Sequence, residues 1–507
     1  MRSTVLLYNP VSTSPGKQRL PLSLLSVAAV IGDDYDVEFI DANLIRDEHG
    51  ISQPEAVAAR IIERAKATNA KLLACSVMPG PQLRQAVPVC KAVKAALPDL
   101  TILWGGYFGT QHQEVVLKSG TIDYVIQGQG EAPFRQFVDT LHRGGSLESI
   151  MSLCYLDKTT GEVCVNDRAP NVQLDNVPWY PYNKIDVSKY VGGSYLGNRV
   201  LSHNTSFGCP FACNFCAVVA LSKRRWIAES AERMANIVTH LSDNWHIDGL
   251  EFHDMDFFVR EDRTADFAER IAHRHGNSIQ WWALGRVDTL MSYSDDTWDK
   301  MRRSGAKMLF MGAESGDDET LKRMNKGGKS GTAQTLALVE RMKHYGIVPE
   351  LSFVLGNPPD PRADIESTIN FIRKIKTINP ATELVLYIYT PVPQEGSILL
   401  DEATKLGFRF PTTLDEWASE EWAKFSMRRD PGTPWFKDNT RRRVRNFESV
   451  INAYYPTVTD TRLRGNVRHA LRALSGWRYK LQYYEWPYEL KALQRMIHYR
   501  RPETTGF

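Results

Sequence analysis

The chain has 507 residues, of which 43% are hydrophobic and 24% are charged, and its net charge is +3. This length predicts about two to four domains, and the balanced charge gives no overall sign of nucleic-acid binding. Seven cysteines are too few for a secreted disulfide framework and no apolar run could span a membrane, so we expect a cytoplasmic protein without a signal peptide or transmembrane segment.

The first 150 residues alternate between short apolar strands and amphipathic helices. Strands are predicted at residues 5–8, 37–40, 72–77, 102–104 and 124–126, and helices at 22–31, 55–68, 85–97 and from residue 132. This alternation predicts a doubly wound parallel sheet, in which ligands bind beyond the carboxyl ends of the strands. No G-x-G-x-x-G motif follows the first strand, so a dinucleotide is not the expected ligand.

Loops rich in glycine or proline follow three of these strands, at residues 78–82, 105–106 and 128–131. Glycine at a strand end lets a large flat ligand approach the backbone, although such loops also occur as plain turns. Four scattered cysteines are expected to be buried structural thiols: Cys75, Cys90, Cys154 and Cys164.

A linker is predicted over residues 151–198, and a second series of strands follows between residues 199 and 400. These strands are predicted at 199–205, 248–253, 280–284, 307–311, 349–355 and 383–389, with helical segments between them. Six β-α units predict a partial parallel barrel, whose active site would lie at the carboxyl ends of the strands.

A cysteine motif follows the first strand of this second series. Cys209, Cys213 and Cys216 have the spacing C-x3-C-x2-C, so their thiolates can share one soft-metal site. Three ligands are one short of the four that normally close an iron–sulfur cluster, which would leave one iron open to another ligand. A structural zinc site that includes His203 is an alternative, although the spacing matches none of the common zinc pairs.

The region from 401 to 507 loses the strand pattern and is predicted to be mainly helical. It contains a basic cluster at residues 441–445 and an aromatic-rich stretch at 477–486. Three interpretations remain open: a cap over the barrel, a membrane-surface helix, or a helical domain with a solvated basic face. We find no RNA-binding module in it.

The cysteine motif after a first barrel strand, with Phe215 before the last cysteine, resembles the radical S-adenosylmethionine (SAM) enzymes. The three strand-end loops of the first region resemble the cobalamin-binding domain that one large branch of that family carries. This branch contains methyltransferases of class B and the anaerobic magnesium-protoporphyrin monomethyl ester cyclase. The resemblance implies a Rossmann-like cobalamin domain over residues 1–150, a radical SAM (β/α)6 barrel over 199–400 and a helical domain over 401–507.

The same resemblance implies the cofactors and the reaction. A [4Fe–4S] cluster on the three cysteines would bind SAM at its open iron, and reductive cleavage would yield a 5′-deoxyadenosyl radical. Cobalamin would bind without a protein imidazole, since the chain has no D-x-H-x-x-G loop after its first strand. The implied function is methyl transfer to an unactivated carbon of a small-molecule substrate, with flavodoxin or ferredoxin as electron donor and no nucleic-acid partner. The alternatives are cyclisation, oxidation or rearrangement of a bulky tetrapyrrole-like substrate, and methylthio transfer.

Individual residues follow from their positions at strand ends or in the matching loops, and none is assigned as catalytic. For Asp256, Arg286 and Glu314, a structural ion pair at the barrel rim is the alternative. The candidate SAM-binding residues are Phe215, Asp256, Arg286 and Glu314. The candidate cobalamin-binding residues are Asn9, Ser76, Met78, Gly80, Gln82, Gly105, Gly106, Tyr107, Gly128, Gln129, Gly130 and Glu131.

Overall fold

The first strand, β1 (Thr4–Asn9), is buried on both of its faces. Leu6 and Tyr8 pack into one apolar cluster, whereas Val5 and Leu7 pack into another on the opposite side. A strand covered on both faces belongs inside a parallel sheet with helices above and below it. The computed structural model describes residues 2–13, 18–326, 331–426, 433–460, 463 and 465–499.

The N-terminal region forms one sheet surrounded by helices. Its strands are β1, β2 (Asp36–Asp41), β3 (Leu72–Ser76), β4 (Thr101–Gly105), β5 (Tyr124–Ile126), β6 (Leu153–Leu156) and β7 (Val163–Val165). Its helices are α1 (Leu22–Ile31), α2 (Pro54–Thr68), α3 (Pro81–Ala96), α4 (Gly106–Gln111), α5 (Gln113–Leu117) and α6 (Glu131–Arg143), followed by 3-10 turns at Leu147–Ser149, Leu174–Asn176, Tyr182–Lys184 and Val187–Tyr190. The strand order is β2-β1-β3-β4-β5-β6-β7. The chain leaves β1 toward β2 and returns to β3 on its other side, so the topological switch point lies between β1 and β3.

This sheet extends beyond the boundary predicted at residue 150. The β6–β7 hairpin pairs antiparallel to β5, so part of the predicted linker belongs to the first sheet. Leu153 and Cys154 are fully buried there, because they cover the edge that β5 would otherwise leave open.

The second sheet has six parallel strands, as the sequence predicts. They are β8 (Val200–His203), β11 (Gly249–Phe252), β12 (Gln280–Arg286), β13 (Ala306–Glu314), β14 (Val348–Leu355) and β15 (Glu383–Ile388), in the order β15-β14-β13-β12-β11-β8. The helices along this part of the chain are α7 (Val218–Ser222), α8 (Ala231–Trp245), α9 (Glu261–His275), α10 (Val287–Ser292), α11 (Asp295–Arg303), α12 (Asp318–Arg323), α13 (Thr332–Tyr345) and α14 (Pro361–Ile378). Leu309 and Leu351 belong to the large apolar core that also contains helix residues, whereas Trp282 and Met308 form a small separate cluster. This is the predicted partial (β/α)6 barrel architecture.

The predicted strand at residues 199–205 is shorter in the structure and ends at His203. The Asp254 carboxylate accepts hydrogen bonds from the backbone N–H and the hydroxyl of Thr205, at 3.1 Å and 2.8 Å. These bonds take the chain out of the sheet. It then forms a short antiparallel ribbon of β9 (Ser206–Gly208) and β10 (Trp226–Ala228), and β9 leads into the cysteine motif.

The C-terminal region is helical, as predicted, and none of its described residues after β15 belongs to a strand. Its helices are α15 (Ile398–Lys405), α16 (Leu414–Trp417), α17 (Glu420–Ser426), α18 (Asp438–Tyr454), α19 (Gly465–Lys480) and α20 (Tyr488–Met496). The end of the predicted domain, from residue 500, lies outside the described residues. Within the ranges that the structure describes, no helix is both long and apolar enough to cross a membrane.

We predict that Gly208→Ala destabilises the protein more than Gly120→Ala does. Both glycines have positive φ, +85° and +67°, which costs an alanine about 1 to 3 kcal/mol. A Cβ at Gly208 would also lie 2.1 Å from the carbonyl oxygen of Arg225, whereas Gly120 has no heavy atom within 4 Å. Urea denaturation measures the difference between the two free energies of unfolding, and equal losses would contradict the steric argument.

Candidate active site

The cysteine motif forms a loop between β9 and α7. Cys209 directly follows β9, and Cys216 lies two residues before α7. Cys213 is buried, whereas Cys209 and Cys216 are partly exposed. The loop therefore begins beside the carboxyl ends of the barrel strands, with Cys213 more deeply buried than the other two cysteines.

Segments that follow other barrel strands fix the backbone of this loop. The Asn325 side chain donates to the carbonyl oxygen of Ala212 at 2.8 Å, and the backbone N–H of Asn214 donates to Met324 at 2.9 Å. The Ser397 hydroxyl donates to the carbonyl oxygen of Asn214 at 2.7 Å. These bonds come from segments after β13 and after β15, so the folded barrel holds the loop in place.

The surroundings of Cys209 favour the protonated thiol. Burial raises the pKa of Cys209 to about 12, with further contributions from the Asp256 carboxylate, Cys216 and Cys213. Binding iron must therefore displace a proton. Across the part of the chain that the structure describes, no three His, Cys, Asp or Glu side chains converge on one ion. Because a [4Fe–4S] cluster is several atoms wide, ligands around it do not need to converge on a point.

Arg286 connects the cysteine loop to the end of β12. Its Nη1 lies 3.2 Å from the Sγ of Cys213, and its Nε and Nη2 bind the Asp288 carboxylate at 3.0 Å and 2.8 Å. Its guanidinium lies 3.8 Å from the centre of the Phe211 ring. This candidate SAM-binding residue thus places a buried positive charge directly beside a cluster thiol.

Glu314 ends β13 with a φ of +63°, an unusual backbone conformation for a residue other than glycine. Its Oε1 accepts a hydrogen bond from the Nζ of Lys326 at 2.7 Å, and both side chains are buried. The Lys326 ammonium also lies 5.5 Å from the centre of the Phe215 ring. A Cβ at Gly312 would lie 1.8 Å from this Oε1, so a glycine is required beside the ion pair. Lys326 was not predicted from the sequence, because it does not directly follow a strand and belongs to no motif.

Asp256 is almost fully buried beside the cysteine loop. Its Oδ1 accepts a hydrogen bond from the backbone N–H of Phe258 at 3.3 Å, but its Oδ2 has no partner among the described residues. Burial raises its pKa to about 7, although the nearby Arg286 lowers it in part. A buried oxygen without a partner is unusual and is consistent with a site that receives a ligand.

A cavity of about 410 Å³ extends from the carboxyl ends of the first sheet to the barrel. Every candidate cobalamin-binding residue except Gly80 lines it. Gly80 instead precedes α3 as its N-cap. The cavity includes the ends of β1 and β3, so it lies at the topological switch point where ligands of such sheets bind.

Glycine conformations and hydrogen bonds position the loops that line this cavity. Gly106 has a φ of +82°, and a Cβ there would lie 2.7 Å from the Ser76 hydroxyl, so only glycine lets the two loops meet. Gly128 has a φ of +76°, and its backbone N–H donates to the Thr110 hydroxyl at 3.0 Å. The Gln129 side chain exchanges hydrogen bonds with the backbone of Val172 at 2.7 Å and 3.1 Å. These contacts hold the loops that line the cavity in place.

Several lining residues were not predicted from the sequence. From the barrel region they are Asn204, Ser206, Phe207, Leu221, Glu229, Arg233 and Met255, and from earlier in the chain they include residues 19–24 and Tyr180. Asn204 follows β8, and Met255 lies three residues after β11, so the rule that ligands bind at strand ends could have found both. The segment before α1 carries no such signal, because it meets the cavity only through the tertiary fold.

The comparison with known families agrees with this geometry. Residues 203–372 match the radical SAM superfamily, and residues 9–138 match the B12 binding domain. The first match contains all three motif cysteines, and the second contains all twelve candidate cobalamin-binding residues. This chain is a radical SAM enzyme with a B12-binding domain. The predicted cofactors, a [4Fe–4S] cluster, SAM and cobalamin, agree with this membership.

Three known proteins are similar to this radical SAM enzyme. An uncharacterised methyltransferase of Pyrococcus horikoshii is 28% identical, over 70% of this chain and 73% of its own length. The anaerobic magnesium-protoporphyrin IX monomethyl ester cyclase of Synechocystis is 25% identical over 65% of this chain, which spans 64% of the cyclase. The solved structure of the cobalamin-dependent SAM radical enzyme OxsB, with aqua-cobalamin and SAM bound, is 18% identical with a TM-score of 0.66. The match covers 98% of this chain and 75% of the OxsB chain. This structural similarity confirms the predicted fold.

We predict that Cys213→Ala abolishes the cluster, whereas Cys164→Ala leaves it intact. Cys213 belongs to the motif loop, but Cys164 lies on β7 in the first sheet. A cluster with only two thiolate ligands should not persist. After anaerobic reconstitution, iron analysis should give about four irons per chain for the parent protein and Cys164→Ala, and almost none for Cys213→Ala. Equal iron content in the two variants would contradict the assignment.

We also predict that Asp256 makes the metal-free protein less stable against unfolding as the pH rises. Its folded-state pKa of about 7 is above its ordinary value of 3.8, so the folded protein keeps a proton that the unfolded chain loses. Stability therefore falls between about pH 4 and pH 7, by about 1.4 kcal/mol for each unit of pKa difference. In Asp256→Asn the fall should be smaller. Urea denaturation across this pH range measures the free energy of unfolding of both proteins. If that free energy changes equally with pH in the parent protein and in Asp256→Asn, the prediction is refuted.

Proposed function

We propose that this enzyme transfers a methyl group from SAM to an unactivated carbon of a small-molecule substrate, in a reaction that depends on cobalamin. One observation carries the proposal: a single cavity is lined by strand ends of the B12-binding domain and of the barrel. The name of the Pyrococcus relative, a methyltransferase, supports the same reaction class.

The cavity reaches the immediate neighbourhood of the cysteine loop. Ser206, three residues before the first motif cysteine, lines it, and so does Leu221 in the helix α7 that follows the last one. A ligand held by the B12-binding domain would therefore lie close to the cluster loop. This arrangement supports two cofactors that act on the same substrate.

We assign distinct tasks to the residues of the chain. The three cysteines would hold the cluster, and the strand-end loops of the first sheet would hold cobalamin, which supplies a carrier for the methyl group when bound. Glu314, fixed by Lys326, and Asp256, with its free Oδ2, offer acceptors for the amino group or the ribose of SAM. Arg286 would position the loop through Cys213, and its positive charge would stabilise the anionic cluster ligands.

The alternatives from the sequence receive different support. The cyclase relative keeps ring closure as a second candidate, because the same cavity and cysteine loop would serve it. Methylthio transfer is less well supported, since a second cluster would need three more cysteine ligands. Cys75, Cys90 and Cys154 are buried, and Cys75 and Cys90 hydrogen-bond to each other.

The reductant and the location also follow from the proposed reaction. Reductive cleavage of SAM requires a one-electron donor, for which we propose flavodoxin or ferredoxin. We propose a cytoplasmic location, since thiols that must bind iron stay reduced there.

The proposed reaction predicts a measurable product even without the substrate. Protein reconstituted with iron, sulfide and hydroxocobalamin, then given SAM and a reductant, should release S-adenosylhomocysteine in proportion to the corrinoid bound, since donation of the methyl group leaves this product. It should also release 5′-deoxyadenosine from reductive cleavage. Chromatography of the products measures both.

Matched variants separate the two activities. Gly130→Leu adds a side chain to the cavity wall, where the nearest heavy atom to a Cβ is 3.6 Å away, so corrinoid and S-adenosylhomocysteine should be lost while 5′-deoxyadenosine persists. Gly192→Leu, in open space, is the control. A parent protein that binds corrinoid but releases only 5′-deoxyadenosine would overturn methyl transfer and favour ring closure.

A further inference from the structure

The helical hairpin formed by α19 and α20 exposes a group of large apolar side chains. The members are Leu474, Trp477, Leu481, Tyr483, Trp486 and Tyr488, with exposed fractions between 40% and 72%. We refer to these six residues as the hairpin face. All six lie within the 15 positions from Leu474 to Tyr488. The rings of Trp477 and Tyr483 stack with 5.8 Å between their centres, so these exposed residues group together rather than being scattered.

Helix α19 has two apolar sides, and only one of them is covered. Leu471 and Tyr479 are buried, and the Tyr479 ring stacks on Tyr454 of α18 with 4.3 Å between ring centres. Leu474 and Trp477 lie three residues apart on another side of the helix, and both are about half exposed. Packing in the core explains the apolar side with Leu471 and Tyr479, but it does not explain the exposed side with Leu474 and Trp477.

A buried arginine holds the turn after α19 in a fixed shape. The Arg478 guanidinium donates to the carbonyl oxygens of Glu485 and Trp486 at 2.7 Å and 3.2 Å, and it pairs with the Glu489 carboxylate at 2.5 Å. It also lies 4.6 Å and 5.4 Å from the ring centres of Trp477 and Tyr483. The contacts of Arg478 therefore hold these aromatic rings at the surface.

The surroundings of the hairpin face are basic. Residues 465–499 contain six basic and two acidic side chains, a net charge of +4, whereas the whole chain carries only +3. Arg472, Lys480 and Arg495 are exposed, and none of them forms an ion pair with a described residue. Two copies of such a surface would repel each other, whereas an anionic surface would attract it.

These features identify the chemistry of the partner. Tryptophan and tyrosine are favoured at the boundary between lipid headgroups and acyl chains, and basic residues beside them bind anionic headgroups. No described helix could cross a membrane, so contact would be peripheral. We infer that the hairpin face is a docking surface for an anionic lipid bilayer.

Vesicle co-sedimentation of the full-length holoenzyme tests this inference. Phosphatidylcholine vesicles with and without phosphatidylglycerol serve as the probes, at low and high salt. The parent protein should bind the anionic vesicles and lose binding as the salt rises. Trp477→Ser/Leu481→Gln should weaken binding at least about fivefold, and Lys480→Gln should weaken it about fivefold, as expected for one charge near the surface.

The control removes the same side-chain types from other surfaces. Trp179→Ser/Ile51→Gln changes an exposed tryptophan and an exposed aliphatic residue far along the chain from the hairpin, and it should bind vesicles like the parent protein. Thermal unfolding checks that each variant is folded.

Three results would overturn the inference. The first is a parent protein that does not prefer anionic vesicles. The second is a hairpin variant that binds like the control. The third is a parent dimer that does not bind vesicles and that Trp477→Ser/Leu481→Gln turns into a monomer in light scattering, which would assign the hairpin face to a second copy.

Discussion

Parallel strands all end at the same edge of their sheet, and in this molecule two such edges border one cavity. The loops after β1, β3, β4 and β5 line it from the B12-binding domain, and residues after β8 and β11 line it from the barrel. Because polar and glycine-rich loops gather at these edges, both ligand-binding regions meet in one place. The Gln129 side chain exchanges hydrogen bonds with the backbone of Val172, which ties the loop after β5 to the segment that leads to the barrel.

Electrostatics complement the geometry at the cysteine loop. A cluster held by three thiolates brings negative charge into a partly buried site, which is unfavourable without positive partners. Arg286 touches Cys213, and the buried Lys326 lies between Glu314 and the Phe215 ring. These cations supply the positive charge. Arg286, Glu314 and Phe215 are thus connected to the cysteine loop through Cys213 and Lys326.

The sequence predicted the parts of the site that depend on local patterns. The spacing of the three cysteines and the loops at strand ends are local features, so the sequence singled out the cysteine loop and most of the first sheet's residues that line the cavity. Lys326 and the segment before α1 could not, because they reach the site only through contacts between residues distant in sequence. The β6–β7 hairpin, beyond the boundary predicted at residue 150, escaped prediction for the same reason, since it joins the sheet through pairing with β5.

The central claim is that the B12-binding domain and the barrel hold their cofactors in one shared cavity. An anaerobic crystal structure of protein reconstituted with iron, sulfide, cobalamin and SAM tests it most directly. The account predicts a corrin ring against Gly105, Gly106 and Gly128, with one face toward Asn204 and Met255, and a cluster on the three motif cysteines. A corrinoid bound elsewhere, or a cavity that stays closed to it while the cluster is present, would contradict the account.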